Sequence, residues 1–356
     1  MPRRKFDFYP LLPIIFLLGF GIATIVSVSP ANLLNHLIYI ILGFSFFLFF
    51  SFFDLEVLFS ISPLIYFFSI AFLALPFLVG TVTRGSIRWI PLGGFTIQPS
   101  EIVKPFLAIL AAWFWSREEF KLKNFLKFIW LSLPILALIF LQPDLGSTLV
   151  VLSIFLGTII VGGIKFKQAM LIVLAVLLGF PLFWFSLRDY QRMRIVHFTN
   201  PYIDPLGEGY NLIQAKITVG SGGLLGRGLG RGTQSHLAFL PERHTDFVFA
   251  SLAEELGFLG SSLVLFCYLL LFLRLLKIAS LSKERSLFLL ATGLFFGLVF
   301  QTAINIGMNI GLLPIAGVTL PLISYGGSSL LSTMISLGIL EGISRQRSRE
   351  KVIEIK

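Results

Sequence analysis

Apolar runs separated by short polar breaks repeat along almost the whole chain. Marked between those breaks, they give ten candidate spans at 11–29, 33–53, 57–80, 102–115, 125–141, 148–163, 169–187, 247–273, 286–312 and 326–343. A helix of about 20 apolar residues crosses a bilayer, so the pattern predicts an all-α polytopic membrane protein with about ten transmembrane helices. No internal repeat, heptad or low-complexity tract breaks it, and residues 1–356 are expected to form a single transmembrane domain.

Ten spans place both termini on one side, and the basic residues choose which. Eighteen of the 28 Lys and Arg fall on the side of the termini. Seven of the other ten lie in 188–246, the one long hydrophilic loop, between spans seven and eight, and long loops say little about orientation. Both termini are therefore expected in the cytoplasm, with 81–101 and 188–246 on the outer face. Any chemistry should face outward.

Composition sharpens this. Hydrophobic residues make up 56% and charged residues 13%, which excludes an ordinary soluble enzyme. The net charge of +10 sits mainly in short loops and reads as topology rather than as a nucleic-acid surface. A single cysteine, Cys267, permits no disulfide framework and no cysteine metal site. Met1 to Lys5 are basic and precede the first apolar run, as in a secretory signal. That run is of full spanning length and lacks a small-residue cleavage site, so a retained helix is expected. No G-x-x-x-x-G-K-[ST] motif is present, so no reaction here is driven by ATP bound to a P-loop of this chain.

Several constellations could carry chemistry. Between Gly220 and Gly232, seven of thirteen positions are glycine, with Arg227 and Arg231 among them. Converging backbone N–H groups and forked arginines suit phosphate, though a tight loop packed on helix ends fits the glycines equally well. Asp246 stands where the eighth span begins. Position alone favours a helix N-cap; a partly desolvated carboxylate there would also suit proton abstraction from a hydroxyl. Glu254 and Glu255 follow inside the same span, where carboxylates are costly and either functional or paired with a base from a neighbouring helix.

Glu101 and Lys104 share a helix face at the start of the short fourth span, with Ser100 as a possible cap. Asp144 is expected to cap the sixth span. His197, His236 and His244 have no compact metal spacing, so no metal site is expected. Glycine–proline breaks between Gly311 and Ser329 suggest a re-entrant segment lining a cavity, with Tyr325 in the commoner role of interface anchor.

Taken together, Ile97-Gln98-Pro99-Ser100-Glu101 with Lys104, Leu141-Gln142-Pro143-Asp144, Asn200-Pro201 with Asp204-Pro205-Leu206-Gly207, Gly232-Thr233-Gln234-Ser235, Leu240 to Phe247 and Leu320 to Ser329 resemble the SEDS family. Its members are peptidoglycan glycosyltransferases. Phe239 to Phe247 with Ala253 to Gly257 is more similar to the elongation branch, RodA, than to the division branch, FtsW.

The resemblance implies ten helices in the bacterial inner membrane, polymerisation of lipid II, and a class B penicillin-binding transpeptidase as partner. It makes Asp246 the catalytic residue, against the cap reading. It implies functional importance at Glu101 and Lys104. Lys216, Arg227, Arg231, Arg243, Gln234 and Ser324 are further expected to bind substrate. A cofactor is not implied, although a divalent cation could assist the diphosphate. The rival readings are a lipid II flippase and a noncatalytic scaffold for the transpeptidase.

Overall fold

In a computed structural model, the described residues are 9–354, apart from 84–85, 94, 166, 169, 171–173, 175–184, 186, 188, 208 and 238. The helices of the membrane region are α1 (Leu11–Val28), α2 (Leu33–Phe52), α3 (Leu55–Ser60), α4 (Ser62–Val79), α5 (Pro99–Ile102), α6 (Lys104–Arg117), α7 (Leu122–Leu141) and α8 (Leu145–Val161). After the long loop follow α12 (Val248–Ser280), α13 (Arg285–Asn309) and α14 (Gly327–Glu354). The loop itself carries α9 (Asp189–Thr199), α10 (Tyr210–Ser221) and the single turn α11 (Thr233–His236). Six helices among the described residues are long and apolar enough to cross a membrane. The expected seventh span, 169–187, lies mostly outside the described residues.

Three differences from the expected spans have physical causes. The third run is split at Ile61, because Ser62-Pro63 starts a new helix and proline cannot continue the preceding one. The fourth begins as α5 and restarts as α6 at Val103, where Pro105 lacks the N–H an unbroken helix would use. The eighth runs to Ser280 but is broken at Gly257, whose φ of 67° and ψ of −165° only glycine adopts readily.

The expected all-α chain also contains a small antiparallel sheet, β1 (Thr81–Thr83), β2 (Ser86–Leu92) and β3 (Phe95–Ile97), in the order β1-β2-β3. It rises from the end of α4 and delivers the chain into α5.

Helix α6 is the centre of the bundle. Val103, Leu107, Ala108, Ile109, Leu110, Ala111 and Ala112 are all buried, the signature of a helix enclosed on every side rather than facing lipid. Around it pack α4, α8, α13 and α14, while α14 runs along α2. By contrast, α2, α4 and α7 expose Leu34, Leu64, Leu78 and Trp130, side chains suited to a hydrocarbon surround. Chain 311–326 is non-helical yet buried at Val318, Leu320, Leu322 and Ile323, as expected of a re-entrant segment. Its carbonyls are satisfied by neighbours: Gln301 Nε2 reaches Thr319 O at 3.2 Å and Asn305 Nδ2 reaches Val318 O at 2.6 Å.

Candidate active site

At the end of the bundle that carries the loop, a cleft of about 350 Å³ opens between β2, the start of α5, residues 242–246 and residues 317–329. Asp246 and Glu101 both line it, although 145 positions of sequence separate them. Arg88, Trp89, Glu242, His244 and Tyr325 complete the polar and aromatic wall.

Asp246 precedes the N-cap position of α12 rather than occupying it. The N-cap of α12 is Phe247, which makes no side-chain capping bond. The orphan N–H of Ala250 is taken by Asn309 Oδ1 at 2.9 Å, and Asp246 lines the cleft. The Asp246 backbone is held from α13: its carbonyl accepts from Asn305 Nδ2 at 2.9 Å and from Asn309 Nδ2 at 3.0 Å.

The turn before Asp246 is equally fixed. Glu242 adopts a φ of 50°, in the left-handed region that non-glycine residues rarely enter. Its carbonyl accepts from Thr245 N and Phe247 N, both at 3.1 Å. The re-entrant segment then grips this turn: Tyr325 N donates to His244 O at 2.8 Å and Ser324 Oγ donates to Thr245 O at 2.6 Å.

Beneath the cleft the Glu101–Lys104 pair closes at 2.6 Å, with both residues more than nine-tenths buried. Glu101 Oε1 also accepts from Ser147 Oγ at 3.3 Å, and Lys104 Nζ stands 3.4 Å from Gln301 Oε1. Such a pair is costly to break, because either partner alone would be a buried charge.

Ser100 does not cap α5. It lies inside the helix, and its hydroxyl donates to Asp144 Oδ2 at 2.7 Å, beside Gln98 Nε2 at 2.6 Å. Asp144 does cap α8, accepting from Ser147 N at 3.1 Å. Burial works against charge on Asp144, but Arg88, the Ser100 hydroxyl, the Ser147 N–H and Lys104 outweigh it and hold the carboxyl below its usual value.

N–H groups do converge on an anion here, but they belong chiefly to the turn that follows the glycine cluster, and the anion is internal. Glu254 accepts from Gln234 N and Ser235 N, both at 2.9 Å, from Ser235 Oγ at 2.7 Å and from Thr233 and Ser221 hydroxyls at 3.3 Å. Glu255 takes Ser27 Oγ and Gly230 N.

The same loop repairs the break at Gly257. Phe258 N and Leu259 N donate to Gly223 O and Leu224 O, while Arg227 N and Gly228 N donate to Glu254 O and Glu255 O. Glu254 is thus held by N–H and hydroxyl donors rather than by the basic partner from a neighbouring helix that the sequence allowed for.

Several expected substrate contacts thus stand outside the cleft. Arg227 Nε is bonded to Ser221 O at 3.1 Å, and Arg231 is exposed on the glycine loop. Arg243 Nε donates to Val28 O at 3.1 Å, at the end of α1. Lys216 lies across Gly311, where an added Cβ would come within 2.9 Å of its Nζ. Gln234 supports Glu254, and Ser324 is a buried brace of the Asp246 turn.

Conversely, Arg194 comes close without having been picked out. Its Nη1 and Asp246 Oδ2 lie 3.9 and 3.8 Å from where a Cβ on Gly317 would stand. Asn305 and Asn309 were also passed over, although two amides four apart in an apolar span are a polar stripe on one helix face. Tyr325 faces the cleft rather than lipid, with ring centroids 6.0 Å from His36 and 5.6 Å from His244. Among the described residues no group of three or more His, Cys, Asp or Glu is placed to hold a metal ion.

Comparison with known proteins accounts for this architecture. Residues 6–349 match the model of the Cell cycle protein family of FtsW, RodA and SpoVE, and the chain belongs to that family. The peptidoglycan glycosyltransferase MrdB of Escherichia coli K12 is 41% identical over 290 residues, covering 80% of this chain and 78% of MrdB. Among solved structures, one reported for the coordination of polymerization and crosslinking by a peptidoglycan synthase complex superposes with a TM-score of 0.85 at 31% identity, covering 96% of this chain and 98% of the other. The rod shape determining protein RodA of Thermus thermophilus gives 0.73 at 29% identity, with the same coverage. The chain is a multi-pass membrane protein.

Proposed function

We propose that this chain is a peptidoglycan glycosyltransferase of the elongation branch, polymerising lipid II into β-1,4-linked glycan at the outer face of a bacterial inner membrane. The observation that carries this reading is the meeting of Asp246 with Glu101 in one cleft at the loop end of the bundle, with Lys104 paired to Glu101 beneath it. Identity to the E. coli peptidoglycan glycosyltransferase supports the reaction, and the RodA likeness supports the branch.

In the proposed reaction Asp246 takes the proton from the acceptor GlcNAc 4-hydroxyl as that oxygen attacks the anomeric carbon of the terminal MurNAc on the growing chain. The new C–O bond forms as the anomeric bond to the lipid diphosphate breaks, with its electron pair leaving on the diphosphate. One carboxylate base and a single displacement invert an α-linked donor to a β product. Glu101 and Lys104 hold the floor, and the clamp of Asn305, Asn309 and Ser324 fixes the base.

The proposed topology has ten spans with cytoplasmic termini, and the proposed partner is a class B penicillin-binding transpeptidase, consistent with the solved peptidoglycan synthase complex. A flippase would need a path for the sugars through both leaflets. Here the polar side chains Arg88, Gln98, Glu242, His244 and Asp246 gather in the cleft at the loop end of the bundle, which favours the enzyme. The test is labelled lipid II in liposomes with the protein and its transpeptidase. Polymer is expected; translocated lipid without polymer would establish the flippase instead.

A further inference from the structure

The departing diphosphate needs cations, and Lys216, Arg227, Arg231 and Arg243 lie outside the cleft. Among the described residues that line it, Arg88 is the only Lys or Arg. Its Nε is enclosed and has no hydrogen-bond partner among the described residues. Asp144 senses its charge, but the Asp144 oxygens are already used by Gln98, Ser100 and Ser147. Of the cations just outside the lining, Lys104 is committed to Glu101, and Arg194 Nη1 donates to Ile315 O at 3.4 Å.

The backbone places Arg88 deliberately. Pairing between β1 and β2 steps from Val82↔Ile87 to Thr81↔Trp89, so Arg88 is the extra residue of a β-bulge. Consecutive strand residues ordinarily face opposite sides; a bulge re-aims one of them. Arg88 and Trp89 accordingly both line the cleft. Strand β2 is held by β1 around the bulge and by β3 immediately after it, from Ile90 to Leu92. An enclosed Nε donor left unused is costly unless an anion completes it, and the planar fork of a guanidinium matches paired phosphate oxygens.

We propose that Arg88 forms the diphosphate subsite of the cleft, gripping the polyprenyl diphosphate of the lipid-linked sugar while the anomeric bond breaks. This rests on the glycosyltransferase reading above. Arg88 offsets the carboxylates of Asp246, Glu101 and Glu242, which would otherwise repel such a substrate.

The test compares the affinity of the detergent-solubilised protein for polyprenyl diphosphate and polyprenyl monophosphate, in wild type, Arg88→Gln and Arg88→Lys. Wild type should prefer the diphosphate by about tenfold, the scale of a charge-assisted hydrogen bond. Arg88→Gln should lose most of that preference, and Arg88→Lys should keep part of it, both melting within a few degrees of wild type. An unchanged preference in folded Arg88→Gln overturns the subsite. If that variant does not fold, an undiminished preference in Arg88→Lys overturns it equally, since a lysine cannot reproduce the fork. The same preparations are given lipid II: absence of polymer from wild type with its transpeptidase sinks the glycosyltransferase reading, whereas polymer with an unchanged preference sinks only the role of Arg88.

Discussion

Asn309 grips Asp246 through the backbone: its side-chain amide donates to the Asp246 carbonyl at 3.0 Å while its own oxygen accepts the Ala250 N–H. One side chain of α13 thus fixes where the proposed base stands and satisfies the first turn of α12. Asn309→Ala should leave the buried Ala250 N–H unpaired, a cost of about 1–3 kcal/mol, and strip the Asp246 carbonyl of one of its two amide donors. The expected result is a polymerisation kcat lowered about 10- to 100-fold with a smaller change in KM, because the base is misplaced while the cleft survives. Unchanged kinetics would show that the clamp does not position Asp246.

Glu254 acts as an internal anion for the turn that follows the glycine loop. Glu254→Gln turns an N–H₂ group toward donors that need an acceptor, so thermal unfolding in detergent should occur several degrees lower, for a loss of about 2–4 kcal/mol. The effect should fall on stability rather than on substrate preference. A variant that melts like wild type but fails to bind lipid II would instead restore the phosphate reading of this loop.

The depressed carboxyl of Asp144 gives a pH signature. Its charged form is favoured in the folded state, so its contribution is fully present above the ordinary carboxylate range, near pH 4, and is lost as pH falls through the lower folded value. The stability difference between wild type and Asp144→Asn should therefore be constant from neutral pH to about pH 5 and shrink only in stronger acid. A difference that grows on acidification would reverse the sign assigned to Asp144.

Much of this was legible in the sequence because burial in lipid and burial in protein both demand apolar runs. The runs at 11–29 and 33–53 return almost residue for residue as α1 and α2. Gly257 was not legible as a break, since a glycine in an apolar run reads the same whether the helix bends or continues. The bulged sheet over 81–97 was hidden because short strands leave little periodicity beside Gly and Pro.

In the cleft, the sequence could mark Asp246, Glu101 and Lys104 as costly charges at span ends. It could not say that Glu254 would accept the N–H groups of Gln234 and Ser235, because that depends on how the loop folds back onto α12. For the same reason Arg88 looked like one loop arginine among several, until strand register turned it into the cleft.

The most direct measurement is glycan polymer formation from labelled lipid II by the protein with its transpeptidase, comparing wild type, Asp246→Asn and Asp246→Glu at matched folding. Asp246→Asn removes the proton acceptor while keeping the shape, so polymer should fall by at least about a hundredfold, within the range supplied by general-base catalysis. Asp246→Glu should retain a measurable fraction. Wild-type levels of polymer from Asp246→Asn would contradict the assignment of Asp246 as the base.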